Sequence, residues 1–188
     1  MTFSKTMFLV VLLLISISSI AQRKNYTVIQ AGWNVGFANE GYVGAFNGYS
    51  FNFVFGKNFN DRAYLGLGIG SENFKGKYRS NDPYSSIQQQ FSYNQQLLPI
   101  FVDGRLPIGS LNQASKIGLL ANAGYAPNLG IRYDQGFLFK GGFYYAYESA
   151  RSLAYFLSAT YGYQQLTENY FQKDFQHQHF NISLGLLL

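Results

Sequence analysis

The 188-residue sequence has no cysteine, and only 12% of its residues are charged. The absence of cysteine excludes a disulfide framework and thiol chemistry. Soluble domains usually carry roughly 25% charged residues, so the low charge argues against an entirely solvated surface. The formal net charge is +5 with no run of Lys or Arg, so nucleic acid is not an expected partner.

Long apolar runs are also lacking, apart from one at the N-terminus. Lys5 precedes the apolar segment 7–17, and Ser19-Ile20-Ala21 has the small-x-small pattern of a cleavage site. The apolar segment is shorter than the roughly 20 residues of a membrane-spanning helix. We therefore predict a signal peptide at 1–21 and a mature domain at 22–188, and the alternative is an uncleaved anchor.

Aromatic residues and glycine are abundant instead. The chain is 19% aromatic and contains 20 Gly, yet its mean hydropathy is −0.07. A chain can combine these properties if apolar and polar residues alternate, as they do in transmembrane β-strands.

Period-two alternation predicts eight strands. They are 26–37, 49–59, 63–73, 91–106, 116–126, 137–147, 152–164 and 177–188. Pro99 predicts a break in the fourth strand because proline cannot donate a ladder hydrogen bond. The connections 38–48, 74–90 and 166–176 are predicted to be long loops, whereas a tight turn is predicted at Asn60-Asp61-Arg62.

These strands predict an all-β fold, an eight-stranded antiparallel up-and-down transmembrane β-barrel after a cleaved signal peptide. A soluble lipocalin-like barrel would show the same alternation with its apolar face inside. The scarcity of charge favours the membrane alternative. Aromatic residues near strand ends are also typical of interfacial girdles: Tyr26, Phe59, Tyr125, Tyr147 and Tyr163.

Four segments resemble the small, porin-like outer-membrane β-barrel domain proteins of Bacteroidota-type bacteria. They are the Ser-Ile-Ala-Gln segment 19–22, the stretches Leu97 to Arg105 and Gly141 to Tyr144, and the closing stretch His179 to Leu188. The resemblance implies the barrel fold and an outer-membrane location, and it implies no particular activity. Many members end in an aromatic residue, whereas this chain ends in Leu188.

A catalytic hypothesis can be built on His177 and His179, which share the inward face of the last predicted strand. Ser158 is a candidate nucleophile, because a Ser hydroxyl beside a His base is an arrangement for acyl transfer. Thr160 and Glu168 are further candidates. The alternative, which we favour, is a pair of polar residues at a wet rim. No third ligand accompanies the histidines, so no metal site is predicted.

Four charged residues fall on inward positions and predict a lumenal charge network: Glu72, Asp103, Arg105 and Glu148. Charges in a narrow interior are costly unless they are paired, so Arg105 is expected to bridge to an acid. Such a network either fixes the barrel as a plug, which we favour, or acts as an ion gate.

Together these observations predict a non-enzymatic outer-membrane protein with a structural or surface-interaction role and no cofactor. Its expected partners are outer-membrane lipids and an envelope protein bound through the predicted loops 38–48, 74–90 and 166–176. The alternatives are a narrow pore for small solutes, a lipid-modifying outer-membrane enzyme and a soluble carrier of an apolar ligand.

Overall fold

The computed structural model describes residues 25–80, 90–130, 132–148, 153–168 and 173–188. These ranges contain β1 (Asn25–Asn39), β2 (Tyr42–Val43), β3 (Phe46–Asn58), β4 (Tyr64–Ser80), β5 (Phe91–Leu97), β6 (Ile100–Asn112), β7 (Ser115–Ala126), β8 (Gly136–Glu148), β9 (Ala154–Glu168) and β10 (Lys173–Leu187). In the described ranges no helix is long and apolar enough to cross a membrane. The predicted signal peptide lies outside them.

The sheet is antiparallel, and it closes on itself. Each long strand pairs with its sequence neighbours, and β1 pairs with both β3 and β10. Strands β5 and β6 both pair with β4 and are separated by Leu98 and Pro99, the break predicted from the proline. The result is an up-and-down ring of eight strand positions, which confirms the predicted strand number and order.

The register gives the ring a large stagger. The stagger is found by starting at Tyr26 on β1 and moving to the directly opposed residue on each neighbouring strand in turn. After one full circuit of the ring, this row reaches β1 again at Gly36, ten positions further along the strand. The residues between them are Gly56, Gly66, Asp103, Asn122, Lys140, Gly162 and His179. Strands in a closed ring are tilted by such a stagger, so this row brings together residues far apart along the chain.

The two sides of the strands differ as the alternation predicts. Outward positions form an exposed apolar band, here called the outer belt, with no charged side chain in it. Its members are Trp33, Val35, Phe37, Tyr49, Phe51, Phe53, Phe55, Leu65, Leu67, Ile69, Ile100, Val102, Leu119, Phe137, Phe139, Phe143, Tyr155, Leu157, Tyr161, Phe180, Ile182 and Leu184.

The ring has two distinct ends. At the short-turn end, Asn60 and Asp61 adopt positive φ angles of 55° and 57°. A two-residue hairpin turn requires this conformation, and Asn and Asp tolerate it. The tight turn predicted there is confirmed, and Gln113 and Ala114 alone separate β6 from β7 at the same end. The connections after β1, β4, β7 and β9 leave the opposite end, here called the long-loop end.

The predicted bounds of the long loops are too wide, because the strands continue into all three ranges. Within 38–48, β1 runs to Asn39 and β3 begins at Phe46, while within 74–90, β4 continues to Ser80. Within 166–176, only residues 169–172 lie between β9 and β10, and they fall outside the described residues, as do 81–89. Inward aromatic side chains at these strand ends pack together, which makes continuation of the sheet favourable.

A segment missed by the sequence analysis completes the wall at the long-loop end, where β7 and β8 are short. In the crossing segment, residues 132–135, the Asp134 amide donates to the Gln96 carbonyl at 2.8 Å. The Thr167 amide donates to the Gln135 carbonyl at 3.0 Å. Asp134 is buried and accepts a hydrogen bond from the Tyr93 hydroxyl. The segment therefore links β5 to β9 across the gap.

Candidate functional site

The interior of the ring is the candidate site, and it has three layers. An apolar long-loop cluster consists of Phe46, Phe74, Tyr78, Tyr93, Leu97, Ala126, Leu166 and Phe175. An apolar short-turn cluster consists of Tyr26, Val28, Val54, Tyr64, Phe101, Leu120, Leu138, Tyr144, Ala146 and Phe156. The polar layer comprises Gln30, Asn34, Ser50, Asn52, Glu72, Asp103, Arg105, Asn122, Lys140, Ser158, Thr160, His177, His179, Asn181 and Ser183.

The interior is filled rather than open. In the long-loop cluster the rings of Phe46 and Tyr93 stack with centroids 4.3 Å apart, and Phe175 packs edge-on against Phe46 at 5.3 Å. A cavity in the polar layer leaves about 10 Å³ for the centre of a water molecule, which is the space of about one water. The described side chains leave no wide channel.

Asp103 is the centre of one buried charge group. Its carboxylate accepts hydrogen bonds from Arg105 Nε at 2.9 Å, the Tyr26 hydroxyl at 2.9 Å and Asn122 Nδ2 at 2.9 Å. The Arg105 guanidinium also lies 4.4 Å from the ring centroid of Phe156, which adds a cation–π contact. Both charges are thus paired and hydrogen-bonded, as a buried ion pair requires.

Glycines on β3 and β4 leave the space that the Tyr26 side chain needs in order to reach Asp103. A Cβ at Gly56 would lie 2.6 Å from Tyr26 Cε1, and a Cβ at Gly66 would lie 2.6 Å from the Tyr26 hydroxyl. Since both positions lack a side chain, the tyrosine ring lies flat across β3 and β4. From its position near a strand end, Tyr26 was predicted to belong to an interfacial girdle. That assignment is wrong, because the residue is 2% exposed and inward-facing.

Glu72 belongs to a second buried pair, with Lys140 of β8. Glu72 Oε2 has no hydrogen-bond partner within the described part of the chain. Lys140 was not among the residues predicted from the sequence, although its even-numbered position in an odd-outward strand predicts an inward side chain. The four buried charges therefore form two separate acid–base pairs, in which Glu72 Oε2 and Arg105 Nη1 have no hydrogen-bond partner among the described residues.

Glu148 lies elsewhere. The sequence analysis grouped it with the interior charges, but its side chain is 46% exposed at the short-turn end and pairs with Lys116 at 2.6 Å. Parity gives the correct face of β8. Glu148 is the last residue of the strand, however, so the inward direction there leads to solvent instead of into the ring.

His177 and His179 are fully buried, not placed at a wet rim. His177 Nδ1 lies 2.9 Å from Asn39 Oδ1, and the two imidazoles stack with centroids 5.3 Å apart. Phe74 packs against both rings. Both His179 ring nitrogens and Nε2 of His177 lack partners in the described ranges. The histidines act here as packing groups between the polar layer and the long-loop cluster.

The structure does not bring the proposed catalytic residues together. Ser158 lies opposite Ser183, whereas His179 lies opposite Gly162. Four residues separate Ser158 from Gly162 on β9, which is roughly 13 Å along a strand. Thr160 is buried near Ser158, and the side chain of Glu168 is outside the described set. Among the described residues no hydrogen bond joins Thr160 to His179, because neither Thr160 Oγ1 nor the His179 ring nitrogens have a partner there. No group of three metal-ligating side chains is found in the same ranges.

Comparison with known proteins supports the fold. No family model and no curated protein sequence matches the chain. Among solved structures, it is similar to Neisserial surface protein A (NspA), with a TM-score of 0.51 and 13% sequence identity. The match covers 87% of this chain and 96% of the neisserial one. The chain therefore has an all-β, antiparallel, up-and-down fold with a ring of eight strands, similar to that of a small outer-membrane barrel.

Proposed function

We propose that the mature chain is an outer-membrane β-barrel protein with a structural or surface-interaction role and no catalytic activity. The observation that carries this proposal is the outer belt, which surrounds a closed ring whose interior holds buried charged and polar side chains between two apolar clusters. The proposal includes the cleaved signal peptide, the Bacteroidota-type, porin-like relationship suggested by the sequence, and an envelope partner at the long-loop end.

The size of the outer belt supports insertion into lipid. The largest apolar patch on a soluble monomer is typically about 300–600 Å². One fully buried Phe side chain accounts for roughly 150–250 Å². The half-exposed Phe side chains of the belt together therefore present more apolar area than such a patch. A soluble lipocalin-like carrier would need the opposite arrangement, with an apolar interior cavity and a charged exterior. At the level of the outer belt, ring closure pairs each long strand with a neighbour on both sides, as backbone groups in lipid require.

Insertion predicts that the single tryptophan, Trp33, contacts lipid. It belongs to the outer belt and is 60% exposed. We expect brominated phosphatidylcholine vesicles to quench most of the Trp33 fluorescence of the folded protein, while water-soluble iodide quenches little of it. The outer-membrane fraction should also contain a band whose gel mobility changes on boiling. Strong iodide quenching with no bromolipid effect would instead support a soluble protein.

The two apolar clusters favour a plug over the alternative of a narrow pore. They lie on either side of the polar layer, and both are completely or almost completely buried. We therefore expect no conductance steps when the purified protein is inserted into planar bilayers in concentrated KCl. Discrete steps from folded protein that disappear after heat denaturation would contradict the plug and revive the pore.

A further inference from the structure

The outward face of β4 changes from apolar to basic along its length. The outer-belt residues Leu65, Leu67 and Ile69 are followed at the same two-residue spacing by Ser71, Asn73, Lys75, Lys77 and Arg79. Alternate residues of a strand share a face, so the last three form a column on the outer wall of the ring. Lys75, Lys77 and Arg79, here called the basic column, are all exposed.

The basic column has no ion-pair partner among the described residues. Its directly opposed neighbours are neutral. They are Asn47 and Asn94 beside Lys75, Ser92 beside Lys77, and Val43 beside Arg79. Lys116 at the short-turn end differs, because it contacts Glu148 at 2.6 Å and Asp61 at 3.9 Å. Among the described residues, Lys57 and Arg62 at the short-turn end and Arg132 in the segment 132–135 also lack an ion-pair partner. Lys75, Lys77 and Arg79 differ from them because they follow one another on a single strand face at the long-loop end.

The distance of the basic column from the outer belt, measured along β4, indicates which part of a bilayer the column would contact. Tyr49, the belt aromatic nearest the long-loop end of β3, lies opposite Asn73. Lys75 is two residues further along β4, roughly 7 Å. The polar zone of a bilayer extends about 5–8 Å beyond its roughly 30 Å hydrocarbon core on each side. If the belt lies in hydrocarbon, the backbone of Lys75 lies at the depth of the lipid head groups. Lys77 lies roughly 7 Å further along the strand, and its long side chain can extend back to that depth.

We propose that the basic column binds the phosphate groups of lipid head groups in the outer leaflet. The long-loop end faces that leaflet in this proposal, because outer-membrane barrels have short turns on the periplasmic side and longer loops outside. This inference rests on the proposed function, because membrane insertion places the column at that depth. Lysine interacts with phosphate as a point charge, and arginine can bind it through two hydrogen bonds. The neighbouring Asn and Ser side chains supply neutral hydrogen-bond donors. Successive column residues are roughly 7 Å apart, so a head group with two phosphates can contact more than one of them.

The test is retention of diphosphoryl lipid A by the detergent-solubilised protein, measured by native mass spectrometry against phosphatidylcholine. The test variant is Lys75→Gln/Lys77→Gln. The matched control, Lys57→Gln/Arg62→Gln, removes the same charge at the short-turn end. A basic residue near an anionic surface contributes enough that losing two should weaken binding roughly 10- to 30-fold. The control should bind within about twofold of the unchanged protein, and adding Arg79→Gln should weaken binding further.

Three results would overturn this inference. Equal weakening in both variants would mean a net-charge effect only. Competition by inorganic phosphate as effective as that by lipid A would indicate a free-phosphate site. Retention of a soluble acidic polypeptide such as polyglutamate in place of lipid A would indicate a protein partner. Bromolipid quenching of Trp33, measured on the same proteins reconstituted into vesicles, separates the hypotheses. Unquenched Trp33 contradicts the proposed function itself, whereas quenched Trp33 without lipid A preference contradicts this inference alone.

Discussion

Replacing Leu67 with arginine is expected to destabilise the folded protein by about 2–4 kcal/mol in a lipid bilayer. Leu67 is the middle one of three consecutive outward apolar residues on β4, between Leu65 and Ile69. An arginine there would have to bring its charge into hydrocarbon or reach a long way to the interface. In water the same substitution on an exposed position changes stability by only about 0.5 kcal/mol.

Leu111 provides a matched control for Leu67. Both side chains are 68% exposed, but Leu111 lies next to the β6–β7 turn, so Leu111→Arg should cost only about 0–1 kcal/mol in lipid. Urea unfolding in phosphatidylcholine vesicles, followed by Trp33 fluorescence, measures both variants. If the two substitutions cost equally little, the outer belt is not in hydrocarbon and the proposed function is wrong.

The faces of the strands could be predicted from the sequence because both environments impose the same two-residue period. The belt leucine and phenylalanine residues are all outward, and Glu72, Asp103 and Arg105 are all inward. A ring of eight strands is just wide enough for side chains to fill it or for one small ligand, so the strand number predicts that the ring has no wide channel. The fold class was therefore available from alternation, spacing and turn chemistry.

The pairing inside the ring could not be predicted in the same way. An odd or even position along a strand shows which face of the sheet a side chain is on, but not which residues of other strands lie at the same level of the ring. The stagger of ten residues determines which residues lie at the same level. Lys140 and Glu72 come together only because of that stagger, as do Tyr26 and Asp103. The ends of the strands were missed for a related reason, because the sheet continues beyond the belt wherever inward aromatics such as Phe46 can pack.

The positions of the catalytic candidates relative to one another depend on geometry that sequence spacing does not contain. His177 and His179 resemble rim residues in the sequence because they precede the apolar stretch of the last strand. In the structure β1 and β9 continue alongside them, and Phe74 covers their rings. His177 and His179 are therefore buried because the neighbouring strands extend beyond the outer belt.

The Asp103→Asn variant is expected to lose about 3–5 kcal/mol of stability, the usual cost of breaking a buried ion pair. The Asp103 and Arg105 side chains are each 1% exposed, so water does not replace the lost partner. The neutral amide can still accept one or two of the hydrogen bonds from Tyr26, Arg105 and Asn122. It cannot supply the negative charge that compensates the guanidinium.

Two comparisons show whether the uncompensated charge causes the loss. Asp103→Asn/Arg105→Gln removes both charges and should recover at least half of the lost stability, because a neutral buried pair avoids the cost of an isolated ion. Asp174→Asn removes a carboxylate from an exposed position on β10 and should change stability by less than about 0.5 kcal/mol. If urea unfolding shows that Asp103→Asn loses no more stability than Asp174→Asn, the Asp103–Arg105 pair does not stabilise the interior. If the double variant is less stable than the single one, Arg105 stabilises the ring through its packing on Phe156 more than through its charge.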